Sequence, residues 1–238
     1  MITDPNCKYC RYHKFQDPTF PRTSIISSSS DKNGFIYIYT YKLLYDSMTN
    51  NKIKGNLKWL KVDNSIITNG ESTKLIKYDT KDNKGYILCK IGMTTRQNVQ
   101  SRLNEWETHC HHEVVNLTPE KISPLLQLPR QHSSSLSTLF KKLSIKDKSK
   151  TSKSVNIGKF KTYKDNAFFV SSKSKMALPE IESFLHKLFW NKYGRGIIRC
   201  SGCGDGQNSK RHMEWFNVPI SELPFILHTI DNFIYTQS

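Results

Sequence analysis

The chain has 238 residues, 37% of them apolar and including 12 Phe, 11 Tyr and 4 Trp, which is enough to fill one modest core and excludes a wholly disordered chain. Its 36 Lys and Arg against 20 Asp and Glu leave a formal charge of +16, a field that attracts polyanions; nucleic acid is the first expected partner, and a lysine-rich solvated linker is the alternative source of the same charge. No stretch approaches the roughly 18 apolar residues of a membrane span, and Met1 to Cys10 is polar where a signal peptide needs an apolar run, so the expectation is an intracellular protein of nucleus or cytoplasm with no membrane partner and no small-molecule cofactor.

Residues 1–33 carry Cys7, Cys10 and His13, then Pro18, Pro21 and the run Ser27 to Ser30, and read as a small knuckle or tail followed by a linker. Gly34 to Thr40 follows, aromatic and β-branched behind a glycine, and is the first expected core strand. Residues 41–85 alternate short apolar runs with Asn, Lys, Asp and Gly and are expected to be an insertion, with a strand at Lys74 to Tyr78. A second strand is expected at Tyr86 to Gly92. The turn Met93-Thr94-Thr95 leads into a helix near Gln97, with Val99, Leu103, Trp106 and Cys110 on its apolar face and Arg102 at the edge of that face.

A second insertion is expected over 120–176, where residues 131–156 are rich in Ser and Lys and Leu136 to Leu143 has the makings of a short helix. Pro179 and Glu180 open a helix with Ile181, Phe184, Leu185, Leu188 and Phe189 as its core stripe; Glu182 and His186 lie one turn apart beside it. Cys200-Ser201-Gly202-Cys203 and a Gly/Asp/Asn turn to Ser209 precede His212 to Val218, expected to be a closing strand. Leu223, Ile226, Leu227, Ile230 and Ile234 mark a last helix over 220–238 that covers one side of the sheet.

Six cysteines fall as two Cys-x-x-Cys pairs plus Cys89 and Cys110, a usage that inside a cell favours metal over disulfide. Gly202 and Gly204 allow the tight turn that lets the Cys200 and Cys203 thiolates face one ion, as in a zinc knuckle. Cys7, Cys10 and His13 form a second, weaker set that lacks an evident fourth ligand, for which Cys89 is one option.

Six motifs in chain order, Gly34 to Tyr37, Lys90 to Thr94, Arg102 with Trp106, Glu182 with His186, Cys200 with Cys203, and His212 to Phe216, resemble the GIY-YIG nuclease superfamily. The resemblance is to the phage-type DNA-binding branch found in fungal proteins of the meiotically up-regulated class. It implies an α/β fold with a small antiparallel sheet flanked by helices, a zinc-knuckle element and long insertions, in a domain spanning 34–219. By resemblance Cys110 and His212 complete the structural zinc site, with His109, His111 and His112 as substitutes; Glu182 matches the ligand for Mg²⁺ or Mn²⁺, and Tyr37 the tyrosine that orients or activates water.

The chemistry asks for the same residue types. Phosphodiester hydrolysis needs a cation on the transferring phosphoryl group, a hard carboxylate for a divalent ion, and a group that holds water. Arg102 can supply the first, with Lys90 and Arg96 as further phosphate contacts beside the lysines of 141–161, while His186 and Glu214 are secondary candidates. Two departures from the nuclease pattern weigh on cleavage: Lys90 stands where the nucleases carry a tyrosine, and residues 41–85 separate motifs that are elsewhere joined by a short turn. The expected function is DNA binding with possible metal-dependent cleavage, and the rival is a catalytically inactive zinc-stabilised protein-interaction or RNA-binding module.

Overall fold

Tyr37, Tyr39 and Tyr41 alternate with Ile36 and Ile38 along the first strand, and all eight residues from Gly34 to Tyr41 are buried, so this strand needs an apolar layer on each side. The computed structural model describes residues 32–50, 57–63, 75–78, 85–127, 160–194, 196–203 and 210–238. Among these, the strands are β1 (Gly34–Tyr41), β2 (Leu60–Asp63), β3 (Leu75–Lys77), β4 (Tyr86–Thr94), β5 (Val114–Asn116), β6 (Tyr163–Lys164), β7 (Ala167–Val170), β8 (Gly196–Cys200) and β9 (Lys210–Pro219). The helices are α1 (Lys42–Thr49), α2 (Val99–Cys110), α3 (Pro119–Gln127), α4 (Leu178–Tyr193) and α5 (Leu223–Gln237).

The strands form one sheet in the order β3-β2-β8-β9-β4-β1-β7-β6, with β5 also paired to β1 and every pairing antiparallel. Ile36, Ile38, Ile87, Ile91, Phe216 and Val218 pack with residues of α3, α4 and α5 in one apolar layer. The tyrosines of β1, Leu88 and Trp215 belong to the other, with Val99 and Leu103 of α2. This is a mixed α/β architecture with an antiparallel sheet flanked by helices.

Several expectations need correction. The sheet is larger than the small one expected: residues 41–85 supply α1 and β2 beside the strand expected there, and 120–176 contributes most of α3 and the β6-β7 hairpin. That hairpin turns on Asp165 and Asn166, both at positive φ (51° and 64°), as two-residue hairpin loops favour. It is fastened to α5 by buried Asp231, whose carboxylate accepts the Lys161 and Thr162 N–H groups and the Thr162 hydroxyl. β9 is an interior strand between β8 and β4, not a closing one, and β4 runs on through Met93 and Thr94 where a turn was expected. The expected strand at 74–78 is β3, and α2 begins at Val99, two residues beyond Gln97.

The α4 stripe is also narrower than its apolar spacing suggests. Ile181, Leu185 and Phe189 are buried, but Phe184 and Leu188 are 41% and 38% exposed, and Phe184 stacks on Phe233 of α5 with ring centroids 4.2 Å apart. Leu185→Ala should therefore cost about 2–5 kcal/mol in urea denaturation, and Phe184→Ala about 1 kcal/mol, the worth of an aromatic pair. Equal costs would contradict this placement.

Candidate functional site

α2 carries one wall of the site. Asn98 caps it, its Oδ1 accepting the Ser101 N–H at 2.8 Å, and Arg102, Trp106 and Cys110 then follow at four-residue intervals along one side of the helix. Arg102 and the Trp106 indole both hydrogen-bond the hydroxyl of Tyr37, and the Arg102 guanidinium lies 5.0 Å from the centre of the Trp106 ring. Burial pushes the Tyr37 phenol up to about 12, against the opposing hydrogen bond from Trp106, so it is a neutral hydroxyl at physiological pH. Gly92 lies opposite Tyr37 in the β1-β4 register, and a Cβ there would sit 2.9 Å from the ring Cζ and the hydroxyl oxygen; only glycine leaves the tyrosine its place.

The other wall comes from the free edge of β4. Pairing with β9 ends at Lys90 opposite Trp215, so the backbone groups beyond it need other partners. α4 supplies them: the His186 Nε2–H donates to the Ile91 carbonyl at 3.0 Å, and the Met93 N–H donates to the Glu182 carboxylate. The spacing explains the motif. Residues four apart on a helix stand about 6 Å apart, close to the rise across two strand residues, so a Glu-x-x-x-His pair can take the place of a missing ladder partner.

Burial pushes the Glu182 carboxyl up to about 7, the charge of Glu214 adding to the effect and Lys90 opposing it. Burial likewise lowers the pKa of His186, despite Glu214 acting the other way. Glu214 sits at an irregularity in the β8-β9 pairing with φ 76°, strained for a residue other than glycine, and its Oε2 lies 3.1 Å from the Lys90 Nζ, its Oε1 3.9 Å from the His186 Nδ1. The Lys90 ammonium in turn is 4.8 Å from the centre of the Trp106 ring. Four elements, β1, β4, α2 and α4, thus bring Tyr37, Lys90, Arg102 and Glu182 into one electrostatically linked group, with Glu214 and His186 against it. Beside this group an open cleft of about 720 Å³ is lined by Thr94, Arg96, Asn98, Ser101, Arg102 and Glu105 among others.

At the far end of α2 lies a second constellation. The ligand atoms of Cys110, Cys200, Cys203 and His212 all fall within 4.8 Å of one another, and the His212 Nε2 is 3.2 Å from the Cys203 sulfur. Cys200 and His212 are diagonal neighbours on one face of the β8-β9 ladder, Cys203 sits in the short 3-10 turn Ser201–Cys203, and Cys110 ends α2. Contacts among the sulfurs, led by that of Cys110, lower the pKa of Cys200 and raise that of Cys203. Three thiols and an imidazole at this separation suit a four-coordinate metal ion. A Cβ on Gly202 would lie 2.3 Å from the Cys110 carbonyl oxygen, which is why the turn between the two cysteines can pass so close to α2.

Other sequence candidates fall elsewhere. His109 is exposed and its Nδ1 bonds the Glu105 carbonyl, and His111 is an exposed helix cap at φ 54°; neither belongs to the cysteine cluster, so as substitutes for Cys110 or His212 both are corrected. His112 does approach it, interacting with Cys200 while stacked 3.6 Å from Trp59. Cys89 is buried in the apolar layer with α4 and α5, where burial pushes its thiol up to about 12, a poor metal ligand. Cys7, Cys10, His13 and the lysines of 141–159 lie outside the described residues. Glu105, which sequence reading missed, ion-pairs both Arg96 and Arg102; its three-residue distance from Arg102 on a helix was the available signal.

A helix-flanked antiparallel sheet, a cleft lined by Arg96 and Arg102, and a cluster of three cysteines and one histidine that could hold a metal ion together define a mixed α/β domain. The chain belongs to the T5orf172 domain family, which matches residues 75–231, more than half of its length. It is similar to the uncharacterized protein YPL034W of Saccharomyces cerevisiae, with 47% identity over 159 residues, 59% of this chain and 96% of the relative. No solved structure matches it. Among the described residues, no helix is long and apolar enough to cross a membrane.

Proposed function

We propose that the chain binds DNA through the cleft beside α2 and hydrolyses phosphodiester bonds there with a divalent ion at Glu182, as a GIY-YIG-like nuclease domain over 34–219 with structural zinc. The observation that carries this reading is the convergence of Tyr37, Lys90, Arg102 and Glu182 from four separate elements on one group. Membership of the T5orf172 domain family fits a DNA-binding or nuclease-associated role, and the charge of +16 suits a polyanion.

In this mechanism Arg102 pairs with non-bridging phosphate oxygens, held in place by the Tyr37 hydroxyl and the Trp106 ring. Tyr37, neutral in its buried setting, orients the attacking water through its hydroxyl and is not itself the base. Lys90 adds a second cation near the phosphate. A divalent ion held by the Glu182 carboxylate would polarise the phosphoryl group when bound, and burial of that carboxyl without a full countercharge makes a cation welcome. Zinc would be held by Cys110, Cys200, Cys203 and His212, pinning the C-terminal end of α2 to β8 and β9.

A binder that does not cleave is the second reading, favoured by Lys90 standing in the nuclease tyrosine position with its ammonium committed to Glu214. A plasmid-nicking assay with Mg²⁺ or Mn²⁺ separates the two. Cleavage predicts nicking that Arg102→Ala slows by about 10²-fold or more, with a far smaller loss of DNA affinity. Nicking equal in wild type and variant points to a contaminant, and no nicking with any divalent ion leaves a binder. Affinity itself should fall linearly in log-log form with salt, and an affinity indifferent to salt would sink the electrostatic reading.

A further inference from the structure

Arg96 and Arg102 face the same cleft, and the carboxylate of Glu105 stands between them. Its Oε2 accepts from the Arg102 Nη1 at 2.6 Å, while its Oε1 pairs with the Arg96 Nη2. A carboxylate gripped through both oxygens by two guanidiniums occupies the kind of position that two non-bridging phosphate oxygens take. The grip is exchangeable: the Arg96 side chain is 57% exposed and that of Glu105 29%, and ion pairs so open to water contribute little to stability. Arg102 keeps its contacts with Tyr37 and Trp106 if Glu105 lets go, so its guanidinium stays aimed. Asn98 and Ser101, lining the cleft at the N-terminal turn of the twelve-residue helix α2, place the positive end of its dipole on the same side.

We propose that Glu105 is an internal phosphate mimic: its carboxylate holds Arg96 and Arg102 together in the nucleic-acid-free protein and is displaced by a phosphate group, making the two arginines a phosphate subsite beside the reactive group. Resting on the reading above, that phosphate is a backbone phosphodiester of DNA. The consequence is restraint. Every DNA phosphate that enters must first compete with Glu105, which lowers affinity for any sequence and releases Arg102 to a phosphate only when one is correctly seated.

The test compares wild type, Glu105→Gln, Arg96→Gln and the double variant, in fluorescence anisotropy titrations of a short DNA duplex over a salt series and in calorimetric titrations with inorganic pyrophosphate. Glu105→Gln keeps the side chain's shape and removes its charge. It should bind DNA about 10-fold more tightly near 0.1 M salt and steepen the log-log salt slope by about 1, the increment for one added phosphate contact. It should also take up pyrophosphate more tightly than wild type. Both gains should shrink in the double variant, measured against Arg96→Gln, since only Arg102 is then left for Glu105 to release. A gain that persists there undiminished is a long-range charge effect and overturns the subsite, as does Glu105→Gln binding neither ligand more tightly than wild type. If no variant binds DNA while Glu105→Gln still gains pyrophosphate binding through Arg96, the phosphate subsite stands and the DNA reading falls.

Discussion

Cys200→Ser should strip the protein of a tightly bound metal ion and lower its stability by several kcal/mol. The Cys200 side chain is fully buried where β8 runs into the turn to Cys203, and its sulfur is drawn into contact with those of Cys110 and Cys203. A serine is nearly isosteric but offers a hydroxyl in place of a thiolate, so coordination, not packing, is what changes. Structural zinc sites carry apparent binding free energies of about 10–16 kcal/mol that count as folding energy. Because this chain also has an extensive apolar core, loss of the ion should loosen α2, β8 and β9 rather than unfold the whole, and about 4 kcal/mol would appear as a fall of roughly 10 °C in Tm. Cys89→Ser is the control, for that thiol lies in the apolar layer with α4 and α5 and should cost stability without changing metal content. Elemental analysis of protein purified without chelator, read beside thermal melts, decides: about one zinc per chain in wild type and Cys89→Ser, and none in Cys200→Ser. A wild-type protein free of metal, or a Cys200→Ser variant that keeps it, removes the zinc site from the account.

Glu182→Gln should abolish metal-dependent nicking and at the same time stabilise the fold at alkaline pH. The two effects share one cause. Burial and the charge of Glu214 raise the folded-state pKa of Glu182 from 4.5 to about 7, so between those values the folded protein keeps a proton that the unfolded chain gives up. Wild-type stability on this account is greatest below about pH 4.5 and is lost as pH rises through 7; the separation of the two values corresponds to roughly 3 kcal/mol. Glutamine does not titrate and can still accept the Met93 N–H, so the variant should match wild type near pH 4.5 and exceed it by a few kcal/mol near pH 8, in urea denaturation without added divalent ion. Mg²⁺ should narrow that gap by stabilising the wild type alone. Nicking, which needs the ionised carboxylate, should rise in the wild type as pH passes 7 and be lost in the variant by about 10²-fold or more. A stability difference independent of pH would mean that Glu182 titrates normally, and unimpaired nicking by Glu182→Gln would place the divalent ion elsewhere.

The extended aromatic run of β1, the strand at Tyr86, the apolar spacings of α2, α4 and α5 and the strand carrying Trp215 were all legible in the sequence, because period-2 and period-3.6 patterns are properties of neighbours along the chain. So was the grouping of Cys110, Cys200, Cys203 and His212, which the family resemblance put together and which the fold brings within 4.8 Å. Periodicity says that a face is apolar and stays silent on what will cover it. For that reason only the tertiary structure decided that Phe184 and Leu188 of the α4 stripe face outward, that β9 lies inside the sheet, and that the Asp165-Asn166 hairpin extends it. The same holds for the polar group around Tyr37. That Glu182 and His186 satisfy the free edge of β4, that Glu214 is held at a positive φ against Lys90, and that Glu105 stands between two arginines are facts about partners far apart in sequence or about charge in a shared space. Residue types set which chemistry is available to this chain; burial and juxtaposition, which no local pattern encodes, decide which carboxyl keeps its proton and which cation is already engaged.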